Sequence, residues 1–209
     1  MDLLLCTATP FECEILRERL RDDDGIRIVV TGVGPVNAAH AVTLSIATSK
    51  PKAIVVCGVG GAYEASGLHV GDVASASVEI YGDLGANSPS GFLDMKALGF
   101  AVVEEPTPLF NEFPMQFFPA GARVNFVTVS TCTGTEAGAT ALQRRTNGAV
   151  ENMEGAAVAH IAHLHRIPVG EIRGISNIVS DRDITKWKLR DAATAAQEAL
   201  LKWLDASPL

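Results

Sequence analysis

The sequence predicts an α/β protein: one three-layer domain over residues 1–209, with a mixed, largely parallel, twisted sheet between layers of helices. Apolar runs of strand length alternate along the chain with helical patterns, which is typical of parallel sheets. Hydrophobic residues make up 47% of the 209 residues but aromatic residues only 6%. The core must therefore consist mainly of small aliphatic side chains, as in sheets buried on both faces.

The first third of the chain alternates regularly between strands and helices. Pro10 suits the first turn of a helix, where its missing N–H costs nothing. The predicted elements are a strand over 2–7, a helix from Pro10 to about Arg21, an exposed turn over Asp22–Gly25, a strand over 26–31, a helix over 35–48 and a strand over 53–57. The glycines of Gly58–Gly61 then favour a strand-to-helix turn, with close approach of the backbone to a ligand as the alternative. This segment has neither a dinucleotide-binding spacing nor the lysine of a phosphate-binding loop.

The segment 82–122 differs from the rest of the chain, because it holds five of the ten prolines and six of the eight phenylalanines. We predict an irregular insertion that acts as a lid or a subunit interface, or whose phenylalanines fill a satellite core. The flanking elements are a strand over 72–81, a strand over 124–129, a helix over 135–145, a buried helix that begins at Glu154, a strand over 169–176 and an amphipathic helix over 189–204.

Composition argues against several classes of partner. The net charge of −7 and the lack of a basic cluster exclude a nucleic-acid partner. No apolar run approaches the ~20 residues of a membrane helix, and the N-terminus lacks the features of a signal peptide. The four cysteines are scattered without metal-binding spacing, which predicts buried thiols and a cytoplasmic protein. His160, His163 and His165 do not share one helix face, so we expect no metal site and no cofactor.

Four features fall where strands end, and ligands of α/β sheets bind beyond the carboxyl ends of strands. They are Glu12, the Gly58–Gly61 segment, Glu154 and Asn177. An acidic residue in a first helical turn and glycines after a strand also have ordinary structural roles. Glu154 is more informative, because a carboxylate that opens an apolar helix needs hydrogen-bond partners, and the vicinal hydroxyls of a sugar would serve.

Several motifs in a fixed order carry a resemblance to known enzymes. They are TGVGPVNAA (31–39), CGVGG (57–61), TVSTCTGT (128–135), VENMEGAA (150–157), RGISN (173–177) and DRDITKW (181–187). Together they resemble the nucleoside phosphorylase/nucleosidase superfamily over nearly the whole chain, and within it the futalosine hydrolases. The resemblance implies a nucleoside phosphorylase-like fold. It also implies hydrolysis of the N-glycosidic bond of futalosine to hypoxanthine and dehypoxanthine futalosine, in menaquinone biosynthesis.

The resemblance also implies roles for individual residues. Glu12 would activate the attacking water, Met153 and Glu154 would hold the ribose, and Asn177 would meet the purine near N7. Arg173 would support them from behind. Gly60, Asn152 and Ser176 complete the expected substrate-binding set. Relatives form homo-oligomers, dimers or larger, whose neighbouring subunit reaches the 5′ end of the ligand, and the 82–122 segment could serve that purpose here.

Asn177 indicates which base is bound. Adenine-specific relatives carry Asp here, which suits the N6 donor beside the N7 acceptor of adenine. Hypoxanthine presents two acceptors, O6 and N7, and an amide can donate to O6 while it accepts from a protonated N7. Asn177 therefore predicts a 6-oxopurine, although an amide cannot supply the proton itself.

Two further departures concern the glycine-rich segment. Gly58 replaces a serine of the adenine nucleosidases. The absence of arginine between Val55 and Glu64 favours water over phosphate as the nucleophile.

Other functions remain open at this point. The nearest are a methylthioadenosine/S-adenosylhomocysteine nucleosidase and a 6-oxopurine nucleoside phosphorylase. A non-catalytic nucleoside-binding protein of the same fold and an unrelated doubly wound binding module are further alternatives. The candidates for binding the aryl carboxylate of futalosine are Arg123, Arg182 and the Thr131–Thr135 loop.

Overall fold

A computed structural model describes residues 2–21 and 25–206, so most of the predicted turn over Asp22–Gly25 lies outside the described residues. The strands are β1 (Leu3–Thr7), β2 (Ile26–Val30), β3 (Ala53–Tyr63), β4 (Val73–Tyr81), β5 (Gly85–Ser88), β6 (Gly91–Asp94), β7 (Glu112–Pro114), β8 (Ala122–Thr128), β9 (Val150–Asn152) and β10 (Val169–Val179). The helices are α1 (Glu14–Arg19), α2 (Pro35–Thr48), α3 (Met95–Leu98), α4 (Glu136–Thr146), α5 (Gly155–Leu164) and α6 (Leu189–Ala206).

The main sheet is mixed and largely parallel, as predicted. Strands β2, β1, β3 and β10 follow one another in parallel register. Strand β10 also pairs antiparallel with β4, and β4 and β8 lead in parallel to β9, which returns antiparallel to β3. These pairings close β3, β10, β4, β8 and β9 into a ring at one side of the sheet.

Side chains alternate between two cores on opposite faces of the sheet, which confirms the three-layer prediction. Leu4 and Cys6 of β1 face α2 and α5 in one core. Leu3 and Leu5 face α1 and α6 in the other. This period of two is what a strand buried on both faces requires, and it explains why the strands read as continuous apolar runs.

The turn predicted at Gly58–Gly61 is wrong, because these glycines lie inside β3, which continues to Tyr63. The glycines serve close approach rather than chain reversal. A Cβ atom on Gly58 would lie 2.5 Å from Oε1 of Glu12 and 2.7 Å from Nη1 of Arg173. Glycine therefore lets these two charged side chains lie directly against the strand.

Three other boundaries differ from the predictions. The first helix is divided into a 3-10 turn over Pro10–Cys13 and α1. Strand β9, only three residues long, was not predicted. Strand β10 extends to Val179, so Asn177 lies within a strand rather than after it, next to a register shift between Ile175 and Asn177.

The 82–122 segment is less irregular than predicted. It contains the β5–β6 hairpin, α3 and β7, which adds to the edge of β4. Phe113 of β7 is buried and stacks at 5.3 Å on His160 of α5, so this phenylalanine fills a core. The role of the segment as a lid or interface stays a prediction. In the part of the chain that the structure describes, no helix is long and apolar enough to cross a membrane.

Candidate active site

A cavity of about 270 Å³ lies beside the C-terminal parts of β1, β3 and β10. All eight residues selected from the sequence line it: Glu12, Gly60, Asn152, Met153, Glu154, Arg173, Ser176 and Asn177. The parallel register explains this convergence, because it brings the carboxyl ends of three strands to one edge of the sheet. The further lining residues include Phe11, Val33, Cys132, Thr133, Glu151, Trp187 and Leu189.

Glu12 lies in the 3-10 turn after β1 and is only 2% exposed. Its Oε2 accepts hydrogen bonds from the backbone N (2.8 Å) and Oγ1 (2.7 Å) of Thr9. Its Oε1 accepts a 2.9 Å bond from the backbone N of Val59 in β3. Three donors fix the carboxylate, and one of its four acceptor positions remains for a water.

Glu154 precedes α5 and is almost fully buried at 5% exposure. Its Oε1 accepts a 3.0 Å hydrogen bond from the backbone N of Gly34, at the start of α2. Its Oε2 lies 3.4 Å from both Nη1 and Nη2 of Arg173. The partners that a buried carboxylate requires are thus a helix N-terminus and a guanidinium.

Arg173 connects the cavity to the core of the sheet. Its Nε donates a 2.7 Å hydrogen bond to Oε1 of Glu171, and its Nη1 donates a 3.1 Å bond to the carbonyl of Val59. The surrounding carboxylates of Glu171, Glu154 and Glu12 raise the pKa of this guanidinium against the opposing effect of burial. Besides Glu154, this buried arginine has three acceptors on strands, namely Glu171, the Val59 carbonyl and, at 3.4 Å, Oδ1 of Asn152, so it can fix the position of Glu154.

Behind Arg173 lies a second buried acid, Glu79, which the sequence analysis missed. Glu79 and Glu171 are both fully buried, and burial followed by the charge of Glu171 raises the pKa of Glu79 well above its ordinary value. Burial also raises the pKa of Glu171, but Arg173 opposes that change. Glu79 is therefore the acid of the pair that holds a proton more tightly, and that proton can satisfy Oε2 of Glu171, a buried atom with no other partner among the described residues.

Asn152 connects Glu79 to the first turn of α5 through hydrogen bonds. Its Nδ2 donates to Oε1 of Glu79. Its Oδ1 accepts from the backbone N of Glu154 at 2.9 Å and of Gly155 at 2.8 Å. The side chain of Asn152 thus supports the first turn of α5 rather than pointing its amide freely into the cavity, although it lines the wall.

The amide of Asn177 has a defined orientation. Its Oδ1 accepts a 2.8 Å hydrogen bond from Oγ of Ser176, whose Oγ also lies 3.2 Å from the carbonyl of Gly60. Its Nδ2 donates to the carbonyl of Ile178 at 3.2 Å, and a flipped amide would place two oxygens against each other there. One N–H and one lone pair of the amide remain available to a ligand.

Glu151 and Trp187 are cavity residues to which sequence reasoning gave no role. Glu151 accepts from the hydroxyl of Tyr63 (2.8 Å) and from the backbone N (2.8 Å) and Oγ1 (2.6 Å) of Thr133, so it ties β9 to the 131–135 loop. Both residues lie inside motifs that carried the resemblance, and this was the signal by which the sequence could have marked them as site residues. A buried carboxylate and an indole have recognisable local chemistry only once the fold brings them to one wall.

The two arginine candidates from the sequence occupy different places. Arg123 lies near the start of β8. Its guanidinium stacks 3.3 Å from the ring centroid of Phe118, and the residue does not line the cavity. Arg182 also lies outside the lining, but its guanidinium stacks at 4.7 Å over Trp187, which forms part of the wall. Only Arg182 is therefore adjacent to the cavity.

Comparison with known proteins agrees with this architecture. The family model described as Phosphorylase superfamily matches residues 12–205. The futalosine hydrolase of Streptomyces coelicolor is 38% identical over 188 residues, covering 86% of this chain and 78% of that protein. The futalosine hydrolase of Acidothermus cellulolyticus is 34% identical, with 82% and 72% covered. The 5′-methylthioadenosine/S-adenosylhomocysteine nucleosidase of Streptococcus pneumoniae, solved with a transition-state inhibitor, superposes with a TM-score of 0.82 at 21% identity and 99% coverage of both chains. With its fold and its family model in agreement over nearly the whole length, this chain belongs to the phosphorylase superfamily.

Proposed function

We propose that this chain is an N-glycosyl hydrolase that cleaves futalosine into hypoxanthine and dehypoxanthine futalosine, a step of menaquinone biosynthesis. The observation that carries the proposal is the presence of Glu12, Glu154 and Asn177 in one cavity. These are a fixed carboxylate, a second carboxylate and an oriented amide, which suit the water, the ribose and the purine of such a reaction. Three futalosine hydrolases that are similar over most of the chain, at 29–38% identity, support the same substrate.

Glu154 suits the ribose because its carboxylate is held but not saturated. Gly34 occupies one oxygen and Arg173 the other, at 3.0 and 3.4 Å respectively. Oε1 keeps a lone pair for one of the vicinal 2′ and 3′ hydroxyls, whereas both terminal nitrogens of Arg173 already face Oε2. Since Arg173 lies on the side of the carboxylate away from Gly34, it also offsets the cost of burying this charge.

Asn177 suits a 6-oxopurine through the two positions that its amide keeps free. The free N–H of Nδ2 donates to O6, and the free lone pair of Oδ1 accepts from N7 once that nitrogen is protonated. The Ile178 carbonyl makes this polarity the stable one. Adenine, with a donor at N6, would meet the N–H of the same amide.

Catalysis follows from charge development. As the bond from C1′ to N9 breaks, the ribose becomes positive and the purine negative. Water adds its oxygen to C1′ and gives a proton to Glu12, while the electron pair of the broken bond leaves with the purine. The purine then takes a proton from solvent, and Glu12 returns its proton to solvent. General-base help of this kind is worth roughly 10²–10⁴-fold in rate.

Phosphate is a less suitable nucleophile in this cavity. Among the described residues that line it, Arg173 is the sole cationic side chain, and its guanidinium already binds Glu171 and Glu154. A phosphorylase would need a further cation for the anion. An adenine nucleosidase is disfavoured by the amide at Asn177.

One assay tests the proposal. Purified enzyme is incubated with futalosine, inosine and methylthioadenosine, each with and without phosphate, and released bases are quantified by chromatography. We expect hypoxanthine from futalosine at a rate independent of phosphate and much slower release of adenine. A requirement for phosphate, or faster turnover of methylthioadenosine, would reject it.

We also infer that the protein acts in the cytoplasm as a homo-oligomer. Val33 at the cavity rim and Val36 in α2 are 51% and 81% exposed. Exposing two neighbouring aliphatic side chains to water is unfavourable, so a second subunit that covers them would stabilise the protein. The four free cysteines suit a reducing compartment. Light scattering of the purified protein tests the assembly, and a monomer at micromolar concentration would reject it.

A further inference from the structure

Arg182 stands directly behind one wall of the cavity. Its guanidinium carbon lies 4.7 Å from the ring centroid of Trp187, and its backbone N donates a 3.2 Å hydrogen bond to the carbonyl of Gly134. The first contact joins it to a lining residue and the second to the loop that carries Cys132 and Thr133. Stacking on an indole and a backbone anchor together give an exposed arginine a defined place.

The charge of Arg182 reaches the cavity wall at Cys132. Burial raises the pKa of this thiol, nearby Glu151 raises it further, and Arg182 lowers it. The guanidinium is thus close enough to a lining atom to stabilise negative charge there. The same field acts on any ligand group that rests against Cys132 and Trp187.

The cavity contains an excess of negative charge that Arg182 can offset. The carboxylates of Glu12, Glu151 and Glu154 line it. Their buried counter-ion, Arg173, is shared with Glu171. A purine that becomes negative here is repelled by three carboxylates, while the one cation of the lining, Arg173, is already paired with Glu171 and Glu154.

Within residues 2–21 and 25–206, Arg182 forms no ion pair with a carboxylate. Its neighbours differ in this respect: Lys186 pairs with Asp183 at 3.4 Å and Arg190 pairs with Glu14 at 3.3 Å. The adjacent Asp181 accepts a 3.0 Å hydrogen bond from the backbone N of Glu136. The positive charge of Arg182 is therefore not neutralised by a direct partner.

The direction of the strands places Arg182 at the purine end, an inference that rests on the proposed function. Glu12 binds the backbone of Val59, whereas Asn177 pairs in register with Gly61, two residues further along β3. The ribose thus lies nearer Val59 and the base nearer Gly61. Beyond Asn177, β10 continues in the same direction to Val179 and the chain reaches Arg182 three residues later.

We propose that Arg182 assists the reaction from behind the cavity wall: its guanidinium, stacked on Trp187, stabilises the negative charge of the departing 6-oxopurine without touching it. When the bond from C1′ to N9 breaks, the electron pair enters the purine and spreads to N7 and O6. The amide of Asn177 donates an N–H to O6 but brings no charge, and its oxygen can bind N7 only after that nitrogen has been protonated. Arg182 supplies that charge, so the base can leave as an anion and take its proton afterwards from solvent, with Glu12 holding the proton of the attacking water.

The test compares Arg182→Gln and Arg182→Lys with Arg123→Gln. The control also removes an arginine stacked on an aromatic ring, but at Phe118, away from the cavity lining. Two quantities are measured: kcat for futalosine, and the Kd of hypoxanthine at pH values below and above the ionisation of the free base. The second readout reports on charge recognition without any turnover.

We expect Arg182→Gln to lower kcat roughly tenfold, the effect of one charge about 10 Å away at an effective dielectric constant near 20. Its preference for anionic over neutral hypoxanthine should fall by a similar factor. Arg182→Lys should recover part of both, and Arg123→Gln should match the wild type. An unchanged anion preference in Arg182→Gln overturns the proposal whatever happens to kcat, because a merely structural role would produce that result. If the wild type releases no hypoxanthine from futalosine, the proposed function fails, and the hypoxanthine titration still decides the role of Arg182.

Discussion

Glu154 and Arg173 form a buried ion pair, with Oε2 of the carboxylate 3.4 Å from both terminal nitrogens of the guanidinium and side chains only 7% and 2% exposed. The pair joins the start of α5 to the middle of β10. It gives the protein a carboxylate that is both buried and fixed, which an isolated glutamate could not be. The chemistry proposed for the cavity depends on this arrangement.

Removing the positive charge from the pair should destabilise the fold. Arg173→Met leaves Glu171 and Glu154 buried without their shared cation, and the free energy of unfolding should fall by about 3–5 kcal/mol. Urea unfolding followed by circular dichroism measures this. Arg173→Lys keeps the charge but loses the fork of N–H groups, so a smaller loss is expected. Equal stability of Arg173→Met and wild type would show that the pair contributes little.

Glu12→Gln should abolish most turnover, by roughly 10²–10⁴-fold in kcat, because an amide cannot accept the proton of the attacking water. Hypoxanthine should still bind, since Glu12 lies near Val59 rather than at the Asn177 end. Steady-state kinetics and isothermal titration with hypoxanthine test the two halves. Glu14→Gln, a change at an exposed carboxylate outside the cavity lining, is the control. Turnover of Glu12→Gln close to the wild type would remove Glu12 from the role of base.

Asn177→Asp should weaken turnover of the 6-oxopurine substrate roughly 10- to 100-fold in kcat/KM, because a carboxylate would face O6 and also the carbonyl of Ile178. Adenine nucleosides, which offer a donor at N6, should lose less or gain. The ratio of kcat/KM for futalosine and methylthioadenosine is the measurement. A ratio that does not move would contradict the assignment of Asn177 to base recognition.

Because of Glu79, the free energy of unfolding should fall as pH rises above the ordinary carboxyl pKa of 4.5. Its pKa in the folded protein is raised well above its ordinary value of 4.5, mainly by burial and then by the charge of Glu171. The folded state therefore holds this proton more tightly than the unfolded state does. The resulting stabilisation is complete below the ordinary pKa and is lost as pH rises through the raised value.

Glu79→Gln removes this titration while keeping a neutral group of the same size that can still bind Asn152 and Thr128. Its Tm should fall less than that of the wild type as pH rises above the ordinary carboxyl pKa of 4.5, as followed by thermal unfolding in a series of buffers. Glu136→Gln, at an exposed helix start, provides a control for general charge effects. If Tm changed with pH in the same way in Glu79→Gln and in the wild type, the pKa of Glu79 would not be raised in the folded protein.

Local patterns were sufficient for elements whose boundaries depend on nearby residues. Pro35 begins α2 and the apolar run after Glu154 forms α5, as predicted. Local patterns were insufficient at Gly58–Gly61, because glycines after a strand normally indicate a turn. These glycines remain in β3 because Glu12 and Arg173, 46 and 115 positions from Gly58, occupy the space that side chains would fill. Contacts so distant in sequence leave no local signal.

The sequence by itself determined the α/β class and, through its ordered motifs and the resemblance that they carry, the superfamily and eight of the residues that line the cavity. These follow from hydrophobic periodicity and from residue types at fixed positions, both of which are properties of the chain. The tertiary structure alone decided that Glu79 and Glu171 are buried together behind Arg173, that Asn177 has one polarity, and that Arg182 rather than Arg123 stands beside the cavity. Protonation, amide orientation and the choice between two arginines depend on burial and on distances between side chains, and these exist only when the strands have been brought together.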